Sequence, residues 1–123
     1  MLLNLSNHPK STWDKKQTEI AKKIYGEIID INFPAVNPEA DEKDIYNLAK
    51  EYLEHCKKFL LQSTDKNNAV HIMGEMTFSF ALIKMLHENN IDCIASTTKR
   101  SASMDNSSNK ISRFDFVKFR KYN

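Results

Sequence analysis

Apolar and polar positions recur with two different periods along the chain, and these periods predict five strands and three helices. Short apolar or alternating runs are typical of strands, whereas apolar residues spaced three and four apart mark one face of a helix. The predicted strands cover residues 1–6, 27–31, 69–73, 91–96 and 111–122. The predicted helices cover residues 14–25, 39–61 and 75–86.

This order of elements predicts an α/β fold, a three-layer Rossmann-like sheet covered by helices on both faces. Parallel strands need helical crossovers, which are almost always right-handed and place helices on both faces. We expect the strand order 2-1-3-4-5, with the last strand antiparallel because a hairpin is the simplest link between strands four and five. A chain of 123 residues predicts a single domain over 1–123. The ligand crevice of such a sheet lies beyond the carboxyl ends of its strands, here between strands one and three.

The segment 69–86 joins a strand to a helix through Gly74. A glycine at this join indicates either a positive φ or backbone lying close to another group. The first amides of the helix would stabilise an anion there. However, Glu75 would repel a phosphate at the same amides, and many structural turns use a glycine. The sequence therefore leaves two alternatives open at this turn, an anion site and a structural turn.

The predicted crevice gathers three stretches, residues 6–13, 74–77 and 96–100. Arg100 can hold a phosphate through two parallel hydrogen bonds, Trp13 offers a face on which a base can stack, and the imidazole of His8 could transfer a proton. Structural roles as caps, core or surface residues remain the alternative for each. The candidate catalytic residues are His8, Lys99 and Arg100. The candidate ligand-binding residues are Ser6, Asn7, Ser11, Thr12, Trp13, Gly74, Glu75, Met76, Thr77, Ser96, Thr97 and Thr98.

Other chemistries fit the sequence less well. The four histidines lack metal-ligand spacing, so we expect no metal and no cofactor. His71 lies inside a predicted strand and is expected to be a hydrogen-bonded core residue. Cys56 and Cys93 lack CxxC spacing and are expected to be buried, reduced thiols. The chain also lacks the glycine-rich and nucleophile-elbow motifs of nucleoside triphosphatases, dinucleotide enzymes and hydrolases.

The charge is unevenly distributed along the chain. From residue 97 onwards there are seven Lys or Arg residues against two acidic ones, whereas the rest has 11 against 14. This basic end suits an anionic partner, although a charged run is often only a solvated surface. No apolar run approaches the roughly 20 residues that span a bilayer. Without a secretory leader, we expect a soluble cytoplasmic protein with no membrane partner.

Three segments, LLNLSNHP, VHIMGEMTFSFALIKML and IASTTKR, resemble the small CRISPR-associated proteins built on a CARF-like Rossmannoid fold. Some of those proteins are ring nucleases, which degrade cyclic oligoadenylate second messengers. The matching positions are 6–8, 74–77 and 96–100. The resemblance implies a homodimer whose two crevices face each other and hold the ring, and no long nucleic acid is expected.

Where members of that family cleave the ring, the resemblance implies a metal-independent reaction. A ribose 2′-hydroxyl attacks the adjacent phosphate and leaves a 2′,3′-cyclic phosphate. Lys99 or Arg100 would stabilise the developing charge, and His8 would assist proton transfer. Glu75 departs from the family pattern, in which many relatives have neutral or small residues.

Two alternatives belong to other classes of protein. One is a non-enzymatic binding or assembly module that recruits an acidic protein or a nucleic acid through the basic last strand, with Lys118, Arg120 and Lys121. The other is a small-molecule enzyme that uses Glu75 as a base in a pocket within one subunit. The sequence alone leaves both alternatives open.

Overall fold

The structure, a computed structural model, describes residues 1–123 apart from the side chain of Ser103. Five strands and three α-helices follow one another, with a short 3-10 helix at Lys10–Thr12. The strands are β1 (Leu2–Ser6), β2 (Ile28–Asn32), β3 (Ala69–Met73), β4 (Asp92–Met104) and β5 (Lys110–Lys121). The helices are α1 (Lys15–Tyr25), α2 (Glu42–Leu61) and α3 (Met76–Glu88).

The five strands form one mixed sheet in the order β2-β1-β3-β4-β5. β1 pairs in parallel with β2 and β3, and β3 pairs in parallel with β4. β5 returns antiparallel to β4. The predicted α/β class, strand order and antiparallel last strand are therefore confirmed.

One face of the sheet packs against α2 and α3 and forms the larger core. Leu3 and Leu5 of β1 and Val70 and Ile72 of β3 are fully buried there. Phe78 of α3 fills the space between them, with its ring in edge contact with Phe33 and Tyr52. Cys56 and Cys93 are buried free thiols, as predicted, and burial raises the pKa of each to about 12. On β1 and β3, the side chains of this face are all apolar.

The other face packs against α1 and is apolar only in part. Leu2, Ile28 and Ile94 contact α1 here, but the next positions on the same face of β1 and β3 are Asn4 and His71. Side chains alternate between the two faces of a strand, so the polar residues of β1 all point to α1. The α1 face thus becomes polar towards the carboxyl ends of the strands.

The predicted first helix is confirmed to within one residue, and it packs on the sheet through a small side chain. Asp14 caps α1 by accepting from the Gln17 amide at 2.7 Å, and Gly26 ends the helix with φ 80°. Ile24 is 42% exposed, whereas Ala21 is fully buried. The small Ala21 side chain lets the helix lie close to the sheet.

The expected end of the fourth strand at residue 96 is also wrong, because β4 continues to Met104. Residues 97–104 pair with β5 along their length, which satisfies backbone groups that a polar loop would leave to water. The turn is confined to residues 105–109, where the Asp105 carboxylate accepts from the Ser107 and Asn109 amides. Residues 97–100, expected after the strand, are therefore part of it.

Among the described residues, every helix is too short or too polar to cross a lipid bilayer.

Candidate functional site

A cleft of about 540 Å³ opens at the carboxyl end of β3, between the loop after β1, the start of α1 and the β4–β5 hairpin. It lies on the α1 face of the sheet, near the point where the winding reverses. A groove of similar size, about 530 Å³, lies between α2 and α3 and is lined by no residue of a strand. We take the first cleft as the candidate site because the polar residues of the sheet converge beneath it. Five predicted residues line it: His8, Thr12, Trp13, Ser96 and Thr98.

A row of hydrogen-bonded side chains runs across four strands under this cleft. Asn4 donates to the Asp30 carboxylate at 2.8 Å, and its Oδ1 lies 2.9 Å from Nδ1 of His71. Nε2 of His71 lies 2.7 Å from the Ser96 hydroxyl. The Gln17 amide of α1 donates to the same hydroxyl at 3.0 Å. Because each of these buried polar side chains has a hydrogen-bond partner, the row holds the side chains at this end of the sheet in a single arrangement.

His71 is a buried histidine with both ring nitrogens hydrogen-bonded, as the sequence predicts. Its exposure is 2%, and its ring makes edge contacts with Trp13 and Phe119. Burial, with a smaller contribution from His8, lowers the pKa of His71 to about 4. The ring is therefore neutral at physiological pH and still lies at the wall of the cleft.

His8 lies in the loop after β1, and side chains that bond to the backbone of His8 hold this loop in place. The carbonyl of His8 accepts from the Asn4 amide at 2.9 Å and from the Trp13 indole at 3.1 Å. The Ser6 hydroxyl accepts from the His8 amide at 3.2 Å. These contacts fix the backbone and leave the His8 ring exposed at the mouth of the cleft. Trp13 is nearly buried, so it forms a wall of the cleft more than a stacking platform.

A β-bulge turns two aromatic residues of β5 into the cleft. The register shifts between Thr97 and Thr98, so Val117 is the extra residue of β5. A bulge adds one residue to one strand and thereby exchanges the faces beyond it. Phe116 and Phe114 consequently share the cleft side with Thr98. The Phe116 amide donates to Asp14 at 3.3 Å, which ties the bulge to the start of α1.

Strand alternation separates the two predicted cations of β4. Arg100 pairs with Phe114 and lies on the cleft side, with its guanidinium 6.0 Å from the centre of the Phe114 ring. One of its donors reaches the Ser112 hydroxyl at 3.1 Å. Lys99 pairs with Asp115 and lies on the opposite side, as does Thr97. Of the three candidate catalytic residues, His8 and Arg100 thus share the cleft side of the sheet.

The turn at Gly74 has a structural explanation, and the amides beside it are already occupied. A Cβ on Gly74 would clash with the Phe33 ring, so the glycine permits close packing. Glu75 caps α3, and its carboxylate accepts from the Thr77 and Phe78 amides at 3.0 and 2.7 Å. The hydrogen bonds from Phe78 and Thr77 lower the pKa of Glu75. A lowered pKa makes the carboxylate a weaker base, contrary to what a general base at neutral pH needs.

The remaining predicted residues lie outside the cleft. Ser6 and Asn7 line a separate cavity of about 270 Å³ near β2. Gly74 and Met76 line a groove of about 420 Å³ beside the end of the chain. Thr77 lies in the groove between α2 and α3, and Ser11 lies in the exposed 3-10 helix.

Six cleft residues were missed by the sequence predictions. They are Asp14, Gln17, His71, Met73, Phe114 and Phe116. The spacing of the aromatic residues of β5 carried a signal, because Phe114 and Phe116 are two apart whereas Phe119 follows three later. A step of three in an alternating strand indicates a bulge. Asp14 and Gln17 carried no local signal. The partner of Gln17, Ser96, lies 79 residues further along the chain.

Within the part of the chain that the structure describes, no group of three or more His, Cys, Asp or Glu side chains is arranged to hold a metal ion.

The fold and the cleft together define a Rossmann-like α/β domain with an antiparallel fifth strand and a polar cleft at its strand ends. The chain belongs to the Uncharacterized protein MJ1673 family, whose model matches residues 1–120. No curated protein matches the chain.

Proposed function

We propose that the cleft binds a cyclic oligoadenylate ring held between two copies of the chain. The observation that carries the proposal is the pairing of Phe114 with Arg100 at the outer end of a polar cleft. Phe114 is 65% exposed, and an exposed ring in a cleft is a stacking surface for a base. Arg100 beside it keeps further donors for a phosphate, because a guanidinium has five.

The size and polarity of the cleft agree with a nucleotide. Ligand sites of about 300–1,000 Å³ combine apolar walls with a few placed polar groups. Here Trp13 and Phe116 form the wall, while His8, Ser96 and Thr98 supply polar groups. A cleft of about 540 Å³ accommodates part of a cyclic oligonucleotide. A second copy related by a two-fold axis would cover the rest of the ring, so the proposal includes a homodimer.

Calorimetric titration with cyclic tetra- and hexa-adenylate in EDTA tests the proposal. Stacking on an aromatic side chain contributes about 1–3 kcal/mol per base, so Phe114→Ala is expected to raise Kd by about 5- to 150-fold. Arg100→Ala is expected to do the same. Lys118→Ala is the matched control, because it removes a cation from the opposite side of the same hairpin. Its Kd should stay within about twofold of the wild type.

Product analysis of the same mixtures decides whether binding leads to cleavage. Linear products ending in a 2′,3′-cyclic phosphate would add metal-independent ring cleavage to the proposed function. An intact ring with tight binding would define a sink or sensor for the messenger. Absence of binding to both rings would contradict the proposal.

A second candidate function is favoured by the charge on the opposite side of the hairpin. Four cations alternate along that side: Lys99, Arg113, Lys118 and Arg120. Among the side chains that the structure describes there, Asp115 is the one acidic residue, in an ion pair of 3.6 Å with Arg113. This surface suits recruitment of an acidic protein or a nucleic acid. Loss of partner recruitment in a Lys118→Ala, Arg120→Ala double variant, with Arg100→Ala unaffected, would favour this function over ring binding.

A further inference from the structure

The proton positions in the polar row follow from the partners at its fixed end. The side-chain nitrogen of Asn4 donates to the Asp30 carboxylate at 2.8 Å and to the His8 carbonyl at 2.9 Å. Reversing the amide would place its oxygen against both of these acceptor oxygens. Oδ1 of Asn4 therefore faces Nδ1 of His71 at 2.9 Å. Because an amide oxygen only accepts, Nδ1 of His71 carries a proton.

This assignment determines what the Ser96 hydroxyl can do. A neutral imidazole has one proton, so Nε2 of His71 is an acceptor, and Ser96 Oγ at 2.7 Å donates to it. The pKa of about 4 keeps the ring in that neutral form at physiological pH. Gln17 donates to the same oxygen at 3.0 Å. A hydroxyl has one proton and two lone pairs, so Ser96 retains one lone pair and no available proton.

We propose that Ser96 acts in the cleft as a hydrogen-bond acceptor, which selects a hydroxyl or amine of the ligand and disfavours a phosphate oxygen. The inference rests on the proposed function for its ligand. An adenylate ring has two donors of this kind, the ribose 2′-hydroxyl and the exocyclic amine of adenine. Its phosphate oxygens only accept, and would meet the lone pair of Ser96 without a proton between them. Arg100, at the outer end of the cleft, then binds the phosphates.

Nuclear magnetic resonance tests the proton assignment without any ligand. In the full chain labelled with ¹⁵N-histidine, the His71 ring should show a protonated Nδ1 and an unprotonated Nε2 at neutral pH. Single variants His8→Gln, His55→Gln and His87→Gln assign the signals of the other three rings. A protonated Nε2 would overturn the inference, because Ser96 would then be free to donate to a ligand.

Binding of modified rings tests the selection itself. We compare cyclic tetra-adenylate with a ring of 2′-deoxyadenylates and with a ring whose purine bases lack the amine. Loss of one hydrogen bond to Ser96 is expected to raise Kd by about tenfold, or about 1.4 kcal/mol, for the ring that lacks the selected donor. The ring that is weakened identifies the donor as hydroxyl or amine.

Variants of Ser96 separate this hydrogen bond from other effects. Ser96→Ala should bind the parent ring and the weakened ring equally, whereas Ser96→Thr keeps the hydroxyl and should keep the difference. Equal binding of all three rings by the wild type would overturn the inference and leave the proposed function in place. Binding of none of the rings would overturn the proposed function and the selection with it, while the His71 signals decide the proton assignment by themselves.

Discussion

The two faces of the sheet differ in what their side chains do. On the α2–α3 face, Leu5 and Ile72 lie among apolar side chains and contribute to stability alone. On the α1 face, Asn4 and His71 sit at the same level of the same strands and hold a polar row under a cleft. Burial of polar groups costs free energy that their hydrogen bonds only offset. The comparison teaches that the α2–α3 face stabilises the sheet through apolar burial, whereas the α1 face holds buried polar groups beneath the candidate site.

The largest expected effect is on the stabilising face. Phe78→Ala removes a fully buried ring that packs against Phe33 and Tyr52, and should lower the free energy of unfolding by about 3–5 kcal/mol. Urea unfolding followed by circular dichroism measures it. Phe80→Ala is the matched control on the same helix, because Phe80 is 72% exposed and its loss should change stability by less than about 0.5 kcal/mol. Equal effects of the two variants would contradict this picture of the core.

The polar face should make stability depend on pH. The pKa of His71 is about 4 in the folded chain and 6.5 as the ordinary value, so the unfolded chain binds the proton more readily between these pH values. The free energy of unfolding should therefore fall by about 3 kcal/mol as the pH drops from above 6.5 to 4. Urea unfolding across this range measures the decrease.

Two variants assign that pH dependence to the polar face. His71→Gln should flatten the decrease, whereas His87→Gln at the end of α3 should keep it. Asp65 and Glu75 have lowered pKa values, so the stability that they contribute is present above their ordinary values of 3.8 and 4.5 and is lost as the pH falls below those values. An unchanged decrease in the His71 variant would contradict the burial of a neutral imidazole.

The smallest expected effect on stability lies at the cleft itself. Phe114→Ala should change the free energy of unfolding by less than about 0.5 kcal/mol, because its ring is mostly exposed. Thermal unfolding of the two proteins under identical conditions measures the difference. A loss comparable to that of Phe78→Ala would mean that Phe114 is a core residue, and the stacking surface would have to be sought elsewhere.

The sequence predicted the sheet well because the signals for its order are local. Strand-length apolar runs, the helical spacing of α3 and the glycine after α1 each act within a few residues. The extent of β4 was missed because its outer half is polar on both sides and is held by pairing with β5, not by burial. Asp14 caps α1 through a local contact, whereas its hydrogen bond from the Phe116 amide joins residues 102 apart in the chain.

The candidate site was predicted less completely for a related reason. His8, Ser96 and Thr98 follow from the general position of ligands at strand ends. His71 was correctly predicted as a hydrogen-bonded core residue. Its partner Ser96 could be identified only once the register of the strands was known. Of the two alternatives left open at Gly74, the structure favours the structural turn, because the Glu75 carboxylate already accepts from the Thr77 and Phe78 amides.

One measurement tests most directly whether the α1 face is the functional face. Cyclic tetra-adenylate is titrated into ¹⁵N-labelled protein in EDTA, and the changes in backbone amide shifts are mapped onto the structure. The account predicts that the largest changes lie at His8, Ser96, Thr98 and Phe114, with little change at Phe80 on α3. Changes concentrated between α2 and α3, or no changes at saturating ring concentrations, would contradict it.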